Sequence, residues 1–349
     1  MTASDRTSRS TAGLAVLLAA GLALAGCAAD AAPESTSAAG ALPAAEGTTT
    51  YPLTLETAYG ETVLDERPER IAVIGGLGDQ ESVLALGITP VVGSDEVAYP
   101  WVADTGFADI ETFVNPWADS FDFEALAAAD PDLIVASTYG NLEGDYEKLT
   151  AIAPVLAVAP IADYAWDWRE LIGAVGAATD LAARADEEIA ATEQATTDAA
   201  AAHPEYAGHT VSVLINRGQE YGIEFVNVAG SPAEDLLTAL GFAEHPNVEE
   251  LSSFEWGDVS PENIGLVDAD ALLIGLHGGD GTAEEATAWM ESNPLYQKLT
   301  AVQDGKVSYI EPSAQTGSLD LAWALSYPDV LSSRWTVAEF TAAFEGLFD

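Results

Sequence analysis

The longest uninterrupted helical pattern in the chain constrains its architecture most. Residues 164–202 carry Ala, Glu, Asp and Leu at helical spacing and contain no proline. Their only internal glycines are Gly173 and Gly176, and His203-Pro204 closes the run. Proline removes a helix donor and clashes with the preceding turn, so its absence over this span predicts one long helix, slightly broken near its start. Such a helix far exceeds the mean of about 11–12 residues.

On both sides of it the chain reads as α/β. Residues 51–57 alternate apolar and polar side chains, as a half-buried strand does. Ile71-Ala-Val-Ile is a short buried strand, followed by a turn with Gly75, Gly76 and Gly78. A helix over residues 80–86, capped by Gly87, and a strand near residues 90–92 come next. Residues 133–136, preceded by the turn Asp130-Pro131, and residues 155–158 are further buried strands. Beyond the long helix the rhythm restarts with strand 210–215, helix 233–240, strand 271–274, helix 283–292, strand 307–310 and helical ends. Strands alternating with helices predict parallel sheets with helices on their faces. The expected fold is therefore α/β, two lobes joined by one long helix. The expected boundaries are 50–162 for the first lobe, 163–203 for the linking helix and 204–349 for the second lobe. An internal echo agrees. Glu81-Ser-Val-Leu-Ala-Leu-Gly87 parallels Asp235-Leu-Leu-Thr-Ala-Leu-Gly241 at the same place in each lobe.

The N-terminus reads as an export signal. Arg6 and Arg9 precede an apolar run over residues 13–26 that is too short for a stable membrane span, and Leu24-Ala25-Gly26-Cys27 closes it. That ending is similar to a bacterial lipobox, in which the cysteine is lipidated and becomes the first mature residue. Cys27 is the only cysteine, so no internal disulfide can form. Residues 1–26 are thus expected to be a lipoprotein signal peptide. Residues 27–49, rich in Ala, Ser, Thr and Pro, are expected to be a flexible tether.

Charge excludes whole classes of partner. The chain has 11 Lys and Arg against 57 Asp and Glu, a net of -46; without residues 1–26, which hold Arg6, Arg9 and Asp5, nine cations remain. Nucleic acid requires a basic surface and is excluded as a partner. Anionic lipid is equally disfavoured, so the membrane is reached only through the acyl anchor.

The stretches Arg70-Ile-Ala-Val-Ile-Gly, Leu84-Ala-Leu-Gly-Ile-Thr-Pro-Val, Asp130-Pro-Asp-Leu-Ile-Val, Asp268-Ala-Asp-Ala-Leu-Leu-Ile and Asn293-Pro-Leu-Tyr-Gln-Lys-Leu-Thr-Ala-Val-Gln-Asp-Gly-Lys-Val occur in this order. With the long helix and the lipobox, they resemble the substrate-binding lipoproteins of bacterial ABC importers whose lobes are bridged by a rigid helix, nearest to the iron-siderophore group. The resemblance runs from about residue 50 to the C-terminus. It implies two Rossmann-like lobes with a largely pre-formed ligand cleft between them, and a lipid-anchored, non-enzymatic protein on the outer face of the cytoplasmic membrane. It further implies capture of a ferric siderophore, delivery to ABC permease subunits, no cofactor and no metal site of its own, and action as a monomer. In that family an acidic residue on each lobe docks on permease arginines, and Glu81 and Asp235 (or its neighbour Glu234) match those positions. An acid there also has an ordinary reading, favouring a helix N-terminus.

Ligands of open α/β sheets gather beyond the carboxyl ends of the strands. That rule selects residues 75–80, Tyr99-Pro-Trp101, Ser137-Thr-Tyr139-Gly-Asn141, Asn216-Arg217-Gly218 and Phe254-Glu-Trp256. Arg217 follows a strand directly in a chain poor in cations, and its planar fork suits a carboxylate, hydroxamate or catecholate oxygen. Its ordinary alternative is a salt bridge. Tyr99, Trp101, Trp117, Tyr139 and Trp256 would supply flat walls, or else core. Trp166 and Trp168 are expected to pack the long helix on the first lobe. So few cations favour a neutral or cationic ferric complex, such as a hydroxamate, over a tris-catecholate.

Other functions are weaker. His203, His209, His245 and His277 are scattered rather than gathered as a direct zinc or manganese site needs. Cobalamin or haem would share the architecture, haem calling on Tyr139 or His277 as axial ligand. No Gly-x-Ser-x-Gly or His-Glu-x-x-His motif points to a hydrolase.

Overall fold

The computed structural model describes residue 40 and residues 42–94, 97–116, 118, 121–158, 167–276, 282–312, 320–326 and 328–348. Trp117, the segment with Trp166, His277 and the lipobox with Cys27 lie outside the described residues.

An antiparallel hairpin, β1 (Leu53–Thr57) and β2 (Gly60–Leu64), opens the first lobe. Alternate β1 residues are half-buried, as their alternating character predicts. The lobe is built on the parallel strands β3 (Ile71–Val73), β4 (Leu133–Val135) and β5 (Val155–Leu156), in that spatial order. Parallel bridges from Ala72 to Val92 and from Gly93 to Phe113 extend the sheet past β3. Every residue of β3, β4 and β5 is apolar and buried, as helices on both faces require. The connecting helices are α1 (Leu77–Ala85), α2 (Phe123–Ala128) and α3 (Leu142–Thr150). Gly87 ends α1 at φ 76°, the left-handed conformation that makes glycine a helix terminator.

The expected long helix is shorter and divided. It consists of α4 (Trp168–Ala178) and α5 (Ala182–Ala202). Between them Asp180 sits at φ 56°, and its carboxylate accepts the backbone N–H groups of Gly47, Thr48 and Thr49 at 2.8–2.9 Å. Those hydrogen bonds, the one from Thr49 foremost, hold the Asp180 carboxyl down at about 2. The helices then pack on each other. A Cβ on Gly176 would lie 2.7 Å from the Ala185 Cβ, so only glycine allows this approach. Trp168 begins α4 buried in the first lobe's core, as expected of it.

The same contacts correct the tether. Glu46 accepts the N–H groups of Ala183 at 2.8 Å and Arg184 at 3.0 Å, capping the otherwise unsatisfied start of α5. Residues 42–49, expected to be flexible, are thereby fastened to the fold.

The second lobe holds β6 (Val211–Asn216), β7 (Ile223–Phe225), β8 (Asp258–Val259), β9 (Ala271–Leu276) and β10 (Val307–Ile310), in the order β10-β9-β6-β7-β8. β6, β9 and β10 are parallel, whereas β7 pairs antiparallel with β6 and β8 antiparallel with β7, pairings that the α/β rhythm did not announce. Helices α6 (Gly218–Tyr221), α7 (Pro232–Ala239), α8 (Val248–Leu251), α9 (Ala283–Glu291), α10 (Thr300–Gln303) and α11 (Asp320–Ser326) surround the sheet. Val211, Val213 and Ile215 pack on one face with Leu237 and Phe340, and Leu214 packs on the other with Met290 and Tyr296. This is the two-residue period of a strand.

Two helices bridge the lobes. α5, with 21 residues, is roughly 30 Å long at 1.5 Å per residue. It places Ala185 in the first lobe's core and Ala199 against the second's. The last helix, α12 (Val330–Ala343), runs beside it, with Val330 in the first core and Phe340 in the second. Thr192 donates to the Val330 carbonyl at 3.1 Å, and Arg334 pairs with Glu188 at 2.7 Å, so the two struts are bonded together.

Where α12 meets α1, three carboxylates are buried. Asp79 accepts from Ser137 and Thr138; Glu81 accepts the Trp101 Nε1–H at 2.7 Å and the Ser332 N–H at 2.9 Å; Asp329 accepts from Ser82 and Val330. None of these donors is a cation. Burial pushes the Asp79 carboxyl up to about 6 and raises Glu81, and it raises Asp329 further with the help of the nearby Glu81 charge. Groups whose folded pKa exceeds the unfolded value give stability that is complete below the unfolded pKa, near 4, and is lost as pH rises through the folded one. Asp180, held low, acts oppositely and loses its contribution only as pH falls towards 2. Urea midpoints are therefore expected to peak near pH 4 and to fall towards pH 8, and Asp329→Asn, which keeps an N-cap acceptor, is expected to flatten that slope. A profile that rises towards pH 8 contradicts this account.

Candidate functional site

The carboxyl ends of the strands in both lobes carry the residues predicted to meet a ligand. In the first lobe, β3 leads through Gly75 into α1. A Cβ on Gly75 would lie 1.6 Å from the Asp79 carboxylate, which leaves no room for any side chain there. Asp79 then accepts the N–H groups of Ser137 and Thr138 at 3.1 and 2.8 Å and the Thr138 hydroxyl at 2.8 Å. One buried carboxylate thus ties the loop after β3 to the loop after β4. Gln80 does the same for residues 93–94, its Oε1 accepting the Ser94 N–H at 2.9 Å. The two predicted loops do come together, but through buried scaffold.

Most predicted aromatic walls are structural. Tyr139 is buried and donates its hydroxyl to Asp145 at 2.9 Å with its ring edge-on to Phe121. Burial and that hydrogen bond raise its pKa well above the tyrosine value. The hydroxyl is spent inside the first lobe, which removes Tyr139 as a ligand platform and as a haem ligand. Tyr99 and Trp101 stack with centroids 4.8 Å apart, and Trp101 lies 5.1 Å from Trp335 of α12. Both are buried, Trp101 by the helix that returns from the second lobe. Trp256 lies in the short turn Glu255–Gly257 beside β8, and its side chain is not described.

The docking pair is also split. Asp235 is exposed in the first turn of α7. Its neighbour Glu234 accepts the Gly230 N–H at 2.5 Å, bracing that helix start. Glu81 is 2% exposed, enclosed by Trp101 and α12. It holds the lobes together and cannot present its carboxylate to a partner's arginine, so the expectation for Glu81 is corrected.

In the second lobe, β6 ends at Asn216, whose amide donates to the Ala286 carbonyl at 2.9 Å and whose Oδ1 accepts the Gly218 N–H at 3.0 Å. Gly218, at φ 83°, turns the chain back into β7. Arg217 stands on this turn with its side chain 37% exposed, and its Nε and Nη2 both donate to Glu224 Oε2 of β7. Sequence reasoning missed Glu224, because the α/β rhythm announces no antiparallel strand after β6 to bring it opposite Arg217. Glu224 also lines a cavity of ≈ 200 Å³ with Phe225, Ser252, Phe254 and Leu325. A larger groove of ≈ 460 Å³ adjoins it, walled by α4, α5, α7 and α11 and holding Arg169 and Asp235; Pro232 and Leu325 line both.

The described histidines stay apart. His203 pairs with Glu205, His209 lies 3.4 Å from Asp270, and His245 is buried. Among the described residues no group of three or more His, Cys, Asp or Glu is placed to hold a metal ion.

If Trp101 is a brace rather than a ligand wall, Trp101→Phe leaves a buried carboxylate oxygen without its donor. It is expected to cost about 1–3 kcal/mol in urea unfolding, whereas ligand affinity changes less than threefold. A large affinity loss at unchanged stability reverses the assignment.

The chain is 25% identical over 261 residues to the putative ABC transporter substrate-binding lipoprotein YhfQ of Bacillus subtilis, covering 72% of this chain and 79% of the relative. Among solved structures, a periplasmic solute binding protein from Mycobacterium smegmatis superposes with a TM-score of 0.69 at 21% identity, covering 85% of this chain and 99% of the other. PiaA from Streptococcus pneumoniae in complex with ferrichrome has a TM-score of 0.63 at 26% identity, covering 84% and 98%. Residues 71–314, from the start of β3 past the end of β10, match the periplasmic binding protein family. The chain belongs to that family of binding proteins, which is not a family of enzymes.

Proposed function

We propose that this protein is an extracytoplasmic binding protein that captures a ferric siderophore and delivers it to an ABC permease for iron uptake. The observation that carries the reading is the two-lobe fold, shared over 84% of the chain with a protein solved holding ferrichrome. Two bonded struts between the lobes support it, because they favour a largely pre-formed site suited to a rigid, bulky ligand. The iron arrives chelated, so the protein itself supplies no cofactor.

Asp235, exposed on α7, is the acidic residue that remains available for the permease, and Cys27 is the lipidated anchor to the outer face of the membrane. Cys27→Ala is expected to shift the protein from the membrane fraction to the soluble one, and the mass of the wild-type mature chain to exceed that of its residues by an acylated glyceryl group. An unmodified, membrane-free mature chain would remove the anchor.

Binding is tested by tryptophan fluorescence of the soluble chain from residue 28, titrated with ferric siderophores, their iron-free forms, haem and cobalamin. Saturable quenching by a ferric siderophore, much weaker without iron, is expected. Quenching by haem or cobalamin alone moves the ligand within the same architecture.

A further inference from the structure

We infer that Glu224 selects the charge of the ligand, so that the site takes cationic or neutral ferric chelates and rejects anionic ones; this rests on the siderophore reading. All nine Lys and Arg beyond residue 26 fall on described residues, so the placement of positive charge is complete. Arg67 and Arg70 precede β3 and donate to backbone carbonyls, of Thr179 and Pro43 in one case and Asp130 and Ala129 in the other. Lys148 pairs with Asp145, Arg334 with Glu188, and Lys306 lies over Phe348 just before β10. Arg184 sits against Gly87 at the far end of α1, and Lys298 lies in the turn before α10. Two cations remain, Arg169 in the larger groove and Arg217 at a strand end. Arg169, at the start of α4, pairs with Glu193 at 2.7 Å and stacks on Trp168. Arg217 directly follows a strand, and Glu224 engages two of its nitrogens through one oxygen.

The Arg217 charge, the one best placed for an anion, is therefore cancelled locally. Glu224 belongs to β7 and faces Arg217 across the hairpin, paired in register with Ile215. Its side chain is 24% exposed and borders a cavity whose other walls include Phe225, Phe254 and Leu325. In such a partly apolar setting a unit charge is screened less than in water. The second carboxylate oxygen, Oε1, receives no hydrogen bond from any described residue, so it can accept one from a ligand's ammonium or hydroxyl group. An anionic chelate would have to displace Glu224 from Arg217 and leave that carboxylate unpaired beside it. A cationic one meets the pair as it stands, and the acidic surface of the whole chain attracts it.

Three probes of one size class test this on the soluble chain from residue 28: a ferric trihydroxamate with a free ammonium group, a neutral ferric trihydroxamate and a ferric tris-catecholate. Fluorescence titrations at low and at physiological salt are run on the wild type, Glu224→Gln and Arg217→Gln, with thermal midpoints as a check of folding. The wild type is expected to prefer the cationic over the anionic chelate by about 100-fold. Glu224→Gln, which frees Arg217, is expected to narrow that preference about tenfold, and Arg217→Gln to widen it, because one unit of charge near a ligand moves affinity by roughly that factor. A merely structural ion pair would weaken all three ligands alike in both variants, which overturns the inference. So does a wild type that binds the tris-catecholate as tightly as the cationic chelate. If none of the three quenches saturably, the siderophore reading itself fails, a different outcome from equal binding of all three.

Discussion

A single buried carboxylate organises the joint between the lobes. Glu81 accepts from the Trp101 indole and from the Ser332 backbone N–H, the latter 251 residues away, so three separate segments converge on it. A carboxylate taken out of water is costly unless its lone pairs are occupied, and these two donors, both neutral, do that. Around this point α12 finds its seat. Asp329 caps α12 while accepting from Ser82, and Trp335 closes over Trp101. If α12 were displaced, both buried carboxylates would lose donors together, which makes the joint strongly cooperative.

That joint determines what the lobes can do. α5 alone would be a single rod about which the lobes could twist, but α12 runs beside it and is bonded to it through Thr192 and Arg334. Wide opening would require breaking the Glu81–Ser332 and Ser82–Asp329 hydrogen bonds in a buried setting. Small adjustments at the strand ends are cheaper, because they leave these bonds intact. A pre-formed site follows, and with it a need for ligand recognition by fixed charge and shape rather than by enclosure.

The α/β rhythm and the two-lobe plan were legible because buried parallel strands are short apolar runs, as at Ile71–Val73 and Ala271–Leu276. The division of the long helix was hidden. Thr179, Asp180 and Leu181 carry neither proline nor glycine, and the break is imposed by residues 46–49, which bind the turn from more than a hundred positions away. The candidate site was legible in its loops and misleading in its side chains. The strand-end rule located Arg217 and the loops that Asp79 fastens. What enclosed Trp101 and Tyr139, however, was tertiary packing, by α12 in one case and by Phe121 and Asp145 in the other.

The internal echo makes the same point in reverse. Glu81 and Asp235 occupy equivalent positions before equivalent glycines, yet one is sealed and the other open. The difference lies outside the repeated unit. α12 belongs to the second half of the chain, but its first turns lie on the first lobe, covering α1, while Asp235 in the first turn of α7 stays exposed. A chain of two similar lobes with one extra terminal helix cannot treat both copies alike. In this molecule one acid serves cohesion and its counterpart faces outward. The same economy governs several of the cations: Lys148, Arg169, Arg217 and Arg334 are each held by a carboxylate, and a pair such as Arg217 and Glu224 fixes the local charge more firmly than the arginine alone could.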